Sequence, residues 1–313
     1  MLNRRHIRIK VMQSLYAFSG SESEDLKREE NFLLHSLDGV YDLYLSMFAL
    51  LTALHKKGLD YNEKLKKKML ASDEDKNPST KFVDNEVLIF ISENKLLQER
   101  INKRKLNIWD LDFEYVDILF RKIIKSDIYK AYLKDPVTFK TDQKFVYNIY
   151  KSIIATDDKL YHYIEDKQIT WIDDFPVVNT SILKLLKKLK RSAPETSLLP
   201  ELYKDEDDKL FALNLLKKSI LNYNSYKEEA AKKARNWDAD RLASLDNVIL
   251  IMALCEFQKF SSIPYKVTIN EYLEIAKEYS TPKSSNFING ILDKISKEYK
   301  EKGIHPKIGR GLL

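Results

Sequence analysis

The sequence predicts an all-α protein. Only seven Gly and eight Pro occur in 313 residues, so turn signals are few. Apolar residues recur at three- and four-residue spacing over long stretches, which is the helical period. Lys, Leu, Glu and Ile, all able to stay helical, dominate the composition. A hydrophobic share of 44% suffices for a buried core in one large or two ordinary domains.

Residues 4–18 read as one amphipathic helix, with Ile7, Val11, Leu15 and Phe18 on its apolar side and Asn3 as N-cap. Gly20 and the acidic, Ser-rich run behind it end that helix. A helical pattern built on Leu37, Tyr41, Tyr44, Leu45, Phe48, Leu51 and Leu54 runs from 28 to 70, with a break expected near Gly58. Ser72 to Thr80 reads as a loop. Helices are expected over 84–105 and 110–133, the second stopped by Asp135-Pro136.

Beyond this point the chain can be aligned with itself at a shift of 66 residues, which pairs Phe145 with Phe211, Asn148 with Asn214, Ile154 with Ile220, Trp171 with Trp237 and Asp174 with Asp240. Each copy would be a long helix, a Trp-containing segment and an apolar helix, at 182–189 and 248–257. Two unrelated helical hairpins sharing a Trp anchor account for the same identities.

In the last third, Ser244 can cap a helix that carries Asp246 in its first turn, where the helix dipole favours a negative charge. Thr268-Ile269-Asn270-Glu271 has the form of a capping box opening the next helix, with Ile269, Leu273 and Ala276 as its apolar face. Ser284 or Ser285 can cap the last helix, which would bury Phe287 or Ile288 together with Ile291, Leu292 and Ile295. Gly290 costs about 1 kcal/mol inside a helix relative to Ala, and tight helix packing is the preferred reason for it.

Several functions are disfavoured. The one cysteine, Cys255, lies in an apolar run, which excludes an intrachain disulfide and argues for a reducing, intracellular setting. No apolar stretch of membrane-spanning length and no secretory signal is read, so a cytoplasmic protein without a membrane partner is expected. Phosphate-binding loops, paired metal-binding histidines and nucleophile elbows are absent, and His6, His35, His55, His162 and His305 are scattered. The acid pairs Asp173-Asp174 and Asp207-Asp208 read as helix caps. No catalytic residue, cofactor or metal is expected, and the chain reads as a non-enzyme.

The net charge of +6 is mild, but residues 1–20 hold Arg4, Arg5, Arg8 and Lys10 with no acid among them. A cationic edge opposite a buried apolar stripe suits phosphate contacts, and it equally describes a solvated face. The basic runs Lys64 to Lys68 and Lys184 to Arg191 read as solvated helix faces.

Two blocks carry a resemblance. Arg4-Arg5-His6-Ile7-Arg8 followed by Gln13-Ser14-Leu15-Tyr16 is one, and Pro264-Tyr265-Lys266-Val267 with Phe287-Ile288-Asn289-Gly290 is the other. Together they resemble the NusB family of transcription antitermination factors, over residues 1–18 and about 207–300. The resemblance implies an all-α fold of two small helical bundles that binds the boxA element of nascent ribosomal RNA with the ribosomal protein NusE, in the RNA polymerase antitermination complex, without catalysis. It implies RNA contacts by Arg4, Arg5, Arg8, Phe287 and the loop carrying Lys283, and a NusE surface near Tyr16, Asp240, Asp246 and Glu256. Lys283 stands where the family often has an acid, and Asn286 where it often has Lys or Arg. Tyr16 and Phe287 read equally well as core aromatics.

The resulting division is a first helix in 1–20, a helical insertion over 21–140, a helical segment over 141–204, the core over 205–300 and a tail over 301–313. The insertion could shield the NusE surface, mediate a homodimer or bind something else. The alternatives are an RNA-binding module like those at the N-terminus of some RNA methyltransferases, and a helical scaffold or dimerisation protein.

Overall fold

A computed structural model describes residues 1–21, 25–68, 76–234 and 244–308, and among them the regular structure is all helical. The chain forms two compact units, one of Met1 with Asp38–Leu202, the other of Leu2–Leu37 with Tyr203–Leu313. Residues 38–202 therefore make one unit, with no division at 140.

The second unit holds α1 (Arg4–Ser19), the start of α2 (Leu26–Lys66), α11 (Glu206–Leu221), α12 (Tyr223–Lys233), α13 (Ser244–Lys259), α14 (Tyr265–Tyr279) and α15 (Ser284–Glu301). Asn3 caps α1 by accepting from the His6 amide at 3.0 Å, and its own amide donates to the His6 ring. Every residue of α13 from Val248 to Phe257 is buried. A helix apolar on all sides belongs at the centre of a bundle, and α1, α11, α12, α14 and α15 all pack on it.

Two expected helix starts shift. Pro264, not Thr268, stands at the N-cap of α14, because Pro fits the entry to a helix and ends α13 before it. Thr268 lies one turn inside and donates to Glu256, so the buried face is Tyr265, Thr268, Tyr272, Ile275 and Ala276, while Ile269 and Leu273 are only partly covered. Ser284 begins α15 without capping it and spends its hydroxyl on Asp246. Gly290 is exposed on α15, so tight packing does not account for it.

The acid pairs also differ from expectation. Asp205 caps α11 by accepting from the Asp208 amide, and Asp174 stands at the start of α10 without a side-chain cap bond. In the 66-residue alignment, Phe145 stacks on Tyr132 whereas Phe211 lies under two arginines. Trp237 and Asp240 lie outside the described residues.

The first unit contains the rest of α2 with α3 (Glu86–Ser92), α4 (Lys95–Lys103), α5 (Ile108–Leu111), α6 (Phe113–Lys125), α7 (Asp127–Lys134), α8 (Phe139–Ile149), α9 (Asp158–Lys167) and α10 (Phe175–Lys188). The helices expected over 84–105 and 110–133 are thus broken, by caps at Asn94 and Ser126 and by a short turn between α5 and α6. Each cap side chain accepts a backbone N–H that the helix leaves unpaired.

Helix α2 runs unbroken past Gly58. An 18-residue window of it has a mean hydropathy of 1.3, so the chain does contain one stretch long and apolar enough to cross a membrane, and 78% of that window is buried in the fold. Leu51 and Leu54 are fully buried along it, and the indole N–H groups of Trp109 and Trp171 donate to the carbonyls of Ser46 and Gly39. His55 is a packing residue, held between the Val83 carbonyl and Ser92.

Gly58 is needed for space, since a Cβ there would meet the Phe82 ring at 2.7 and 2.8 Å. Gly58→Ala is expected to cost about 1–3 kcal/mol through overpacking. Gly290→Ala, exposed and mid-helix, should gain about 1 kcal/mol. Opposite shifts of the two variants in thermal denaturation would support this; destabilisation by both would refute the account of Gly290.

Candidate nucleic-acid interface

The first turns of α1 place Arg4, Arg5 and Arg8 against acids from three other helices. Arg8 and Glu256 form a bidentate pair at 2.6 and 2.9 Å, with side chains only 3% and 0% exposed. Glu256 also accepts from Tyr272 Oη at 2.8 Å and Thr268 Oγ1 at 3.2 Å, so its lone pairs are well used. Burial acts to lower the Arg8 pKa, but the charge of Glu256 and its hydrogen bonds outweigh this and raise it. Arg8 is a core cation.

Arg5 makes a bidentate pair with Glu271 at 2.9 Å on both sides, and the hydrogen bond from Arg5 holds the Glu271 carboxyl below the ordinary Glu range. Arg4 Nε donates to Asp208 at 2.9 Å, and its guanidinium lies 5.1 Å from the centre of the Phe211 ring. Arg4 and Arg5 keep 44% and 40% of their side-chain surface exposed. With Arg8, Asn3, Ser262, Ile263, Pro264, Val267 and Glu271 they line a groove of about 550 Å³.

The arginine pairs bear directly on what the groove can do. The three cations are matched by three carboxylates, with Glu271 lying 3.8 Å from Arg8 as well as holding Arg5, so the groove has little net charge and little long-range field. What remains is donor geometry: Arg5 uses Nε and Nη2 on Glu271, and Arg4 uses Nε on Asp208, and among the described residues the other Nη groups of these half-exposed side chains make no hydrogen bond. Fixed planar donors suit a phosphate or a base edge.

Lys283 is exposed and Phe287 half-buried at the start of α15, and neither lines the groove. Glu271 and Ser280 are nine residues apart on α14 and its end, about 13 Å along a helix. Asp246 is buried and accepts from Ser280 Oγ at 2.6 Å and Ser284 Oγ at 2.8 Å, so it holds from beneath the loop that carries Lys283.

The expected protein-binding set is corrected likewise. Glu256 and Asp246 are inside the fold and offer no surface to a partner. Tyr16 is 46% exposed, with its hydroxyl accepting from Ser244 Oγ at 3.2 Å. Asp240 lies outside the described residues. Sequence reasoning missed Asp208 and Glu271 as arginine partners because each reads locally as a helix-start acid. It also missed Ser262, Ile263 and Val267 as groove walls. A surplus of arginines on a largely apolar helix was the signal that buried acids must answer them.

A model of the NusB family matches residues 179–297. Transcription antitermination protein NusB of Chloroherpeton thalassium is 39% identical over 41% of this chain and 61% of its own length. The proteins of that name from Salinibacter ruber and Thermodesulfovibrio yellowstonii are 40% and 43% identical over 35% and 30% of this chain. The chain spans 69% and 62% of their lengths. No solved structure matches it.

Replacing Glu256 with Gln leaves buried Arg8 with only Glu271, 3.8 Å from its Nη1, as counter-charge, and is expected to cost about 3–5 kcal/mol, read as a lower urea midpoint. Replacing both residues with Met and Leu should cost less than the single change. A second expectation concerns pH. Glu271 has a lowered pKa in the folded state, so its contribution is present above the unfolded Glu value of about 4.3 and is lost as pH falls through the folded one. The stability difference between wild type and Arg5→Ala should therefore shrink between neutral pH and pH about 3; a constant difference would show that the ion pair contributes nothing.

Proposed function

The chain belongs to the NusB family, and on that premise we propose that it is a non-catalytic transcription antitermination factor. In this reading it binds boxA-type RNA of nascent ribosomal transcripts together with the ribosomal protein NusE, within the antitermination complex of RNA polymerase. The observation that carries the RNA half is the groove in which Arg4 and Arg5 are half-exposed, fixed by Asp208 and Glu271, and left with Nη donors to spare.

Because each guanidinium is already oriented, little side-chain entropy is lost when RNA arrives. Because each is already paired, the groove attracts RNA weakly from a distance and discriminates at contact. Arg8 acts from behind, as a positioning residue that docks α1 on α13 and so sets where Arg4 and Arg5 emerge. Lys283 adds a cation on the loop held by Asp246, and Phe287 beside it has a partly open ring for stacking on a base. Among the described members of the expected NusE set, Tyr16 has surface to offer.

The test is binding of a boxA-type RNA and a shuffled control to the full chain, with and without NusE, across salt. Arg4→Ala with Arg5→Ala should weaken boxA binding at least tenfold and lower the log–log salt slope by about 0.7 for each phosphate no longer held. Tyr16→Ala should leave RNA binding alone and weaken NusE capture. Equal affinity for both RNAs, or no effect of the arginine changes, would overturn the assignment.

A further inference from the structure

Between Phe175 and Pro194 the chain carries Lys184, Lys187, Lys188, Lys190 and Arg191 and no acid, so this stretch holds five positive charges of a chain whose net charge is +6. All five side chains are exposed. On α10 the buried side is Val178, Asn179, Ile182 and Leu186, and the lysines spread over the opposite side.

The ordinary explanation for exposed lysines is a solvated face balanced within its own helix. This chain builds such faces elsewhere, with Lys130 on Asp127, Lys277 on Glu274, Lys297 on Asp293 and Lys302 on Glu298. Helix α10 has no acid with which to do so. Among the described residues, Lys184, Lys187, Lys188 and Lys190 make no ion pair, and Arg191 reaches Glu86 at 2.7 Å.

Lysines in a last turn can serve the helix by answering its unpaired carbonyls. Here that role is taken. Gln143 Nε2 of α8 donates to the carbonyls of Leu186, Lys187 and Leu189 at 2.9, 3.2 and 2.7 Å. The same contact seats α8 beside the end of α10 and brings close the exposed Lys140 and Lys144 near Gln143, which make no ion pair among the described residues. The contrast with α1 is direct: there Arg4, Arg5 and Arg8 are answered by internal carboxylates, and here Lys184, Lys187 and Lys188 are left for an external anion, while Arg191 answers Glu86 and Lys190 lines a pocket with Glu86, Glu93 and Glu195.

We propose that the outer face of α10, extended by Lys140 and Lys144, is a second RNA contact that holds the phosphate backbone without regard to sequence. This rests on the reading that the chain binds RNA. Lys184 to Lys188 covers about 6 Å of helix, and Lys190 and Arg191 carry the positive charge past its end, enough in all to face about three phosphates of an extended strand. Lysine ammoniums, as mobile point charges, fit phosphates without demanding one base or one backbone geometry. An anionic bilayer is disfavoured, because none of the exposed large apolar residues lies between 175 and 194 to anchor the helix in it.

The experiment uses the full chain, a labelled 20-nucleotide boxA-type RNA and its shuffled form, and the triple change K184Q/K187Q/K188Q. The salt slope for both RNAs should fall by about two units, at about 0.7 per phosphate released. The triple Lys→Arg change should keep the wild-type slope, and circular dichroism should show unchanged helix content in both variants. An unchanged slope with boxA preference intact overturns this inference and leaves the antitermination reading standing. A lowered slope with no boxA preference supports it and removes that reading. Binding of phosphatidylserine vesicles that the triple Gln change abolishes, with RNA binding untouched, overturns it in favour of a membrane surface.

Discussion

The carboxylate of Glu256 is the point on which the second unit depends. It sits in the last turn of α13 with no exposure and receives bonds from Arg8 on α1 and from Thr268 and Tyr272 on α14. The backbone of the same turn accepts from Lys307 Nζ, at the carbonyls of Glu256 and Phe260, so the C-terminal segment is tied to it as well. Burial holds the Lys307 pKa down to about 8. A buried ion pair adds little net stability over an apolar pair of the same volume, but it tolerates one geometry. That geometry sets the rotation of α1, and the rotation decides that Arg4 and Arg5 reach the groove.

Positive charge in this protein divides into two physical kinds. On α1 it is answered internally, so it acts through fixed donors at short range. On α10 it is unanswered, so it acts through a field that reaches about a Debye length, some 8 Å at physiological salt. A surface of the first kind suits discrimination at contact. One of the second kind suits capture and retention of a polyanion, and the two would respond differently to salt.

Much of the fold was legible from local pattern. The Asn3 cap, the stop at Asp135-Pro136 and the apolar length of α13 all follow from residues within a turn or two of one another. The breaks at Asn94 and Ser126 were harder to read, because an apolar period runs across them and only the cap bonds mark the boundary. Gly58 looked like a helix breaker because its reason, the Phe82 ring, is distant in sequence. Thr268 to Glu271 met the local rule for a capping box, yet Pro264 had already begun the helix. Thr268 and Glu271 were then free to bond Glu256 and Arg5.

By itself the sequence determined the helical class, the family resemblance and the concentration of arginines on the first helix, since these rest on composition and short-range spacing. Only the tertiary structure decided which charges are available. Arg8 and Glu256 are separated by 248 positions and neutralise each other in the core, while among the described residues Lys184, Lys187 and Lys188 make no ion pair. Whether a charge is free depends on which distant carboxylate the packing brings within about 3 Å, and no local spacing encodes that distance.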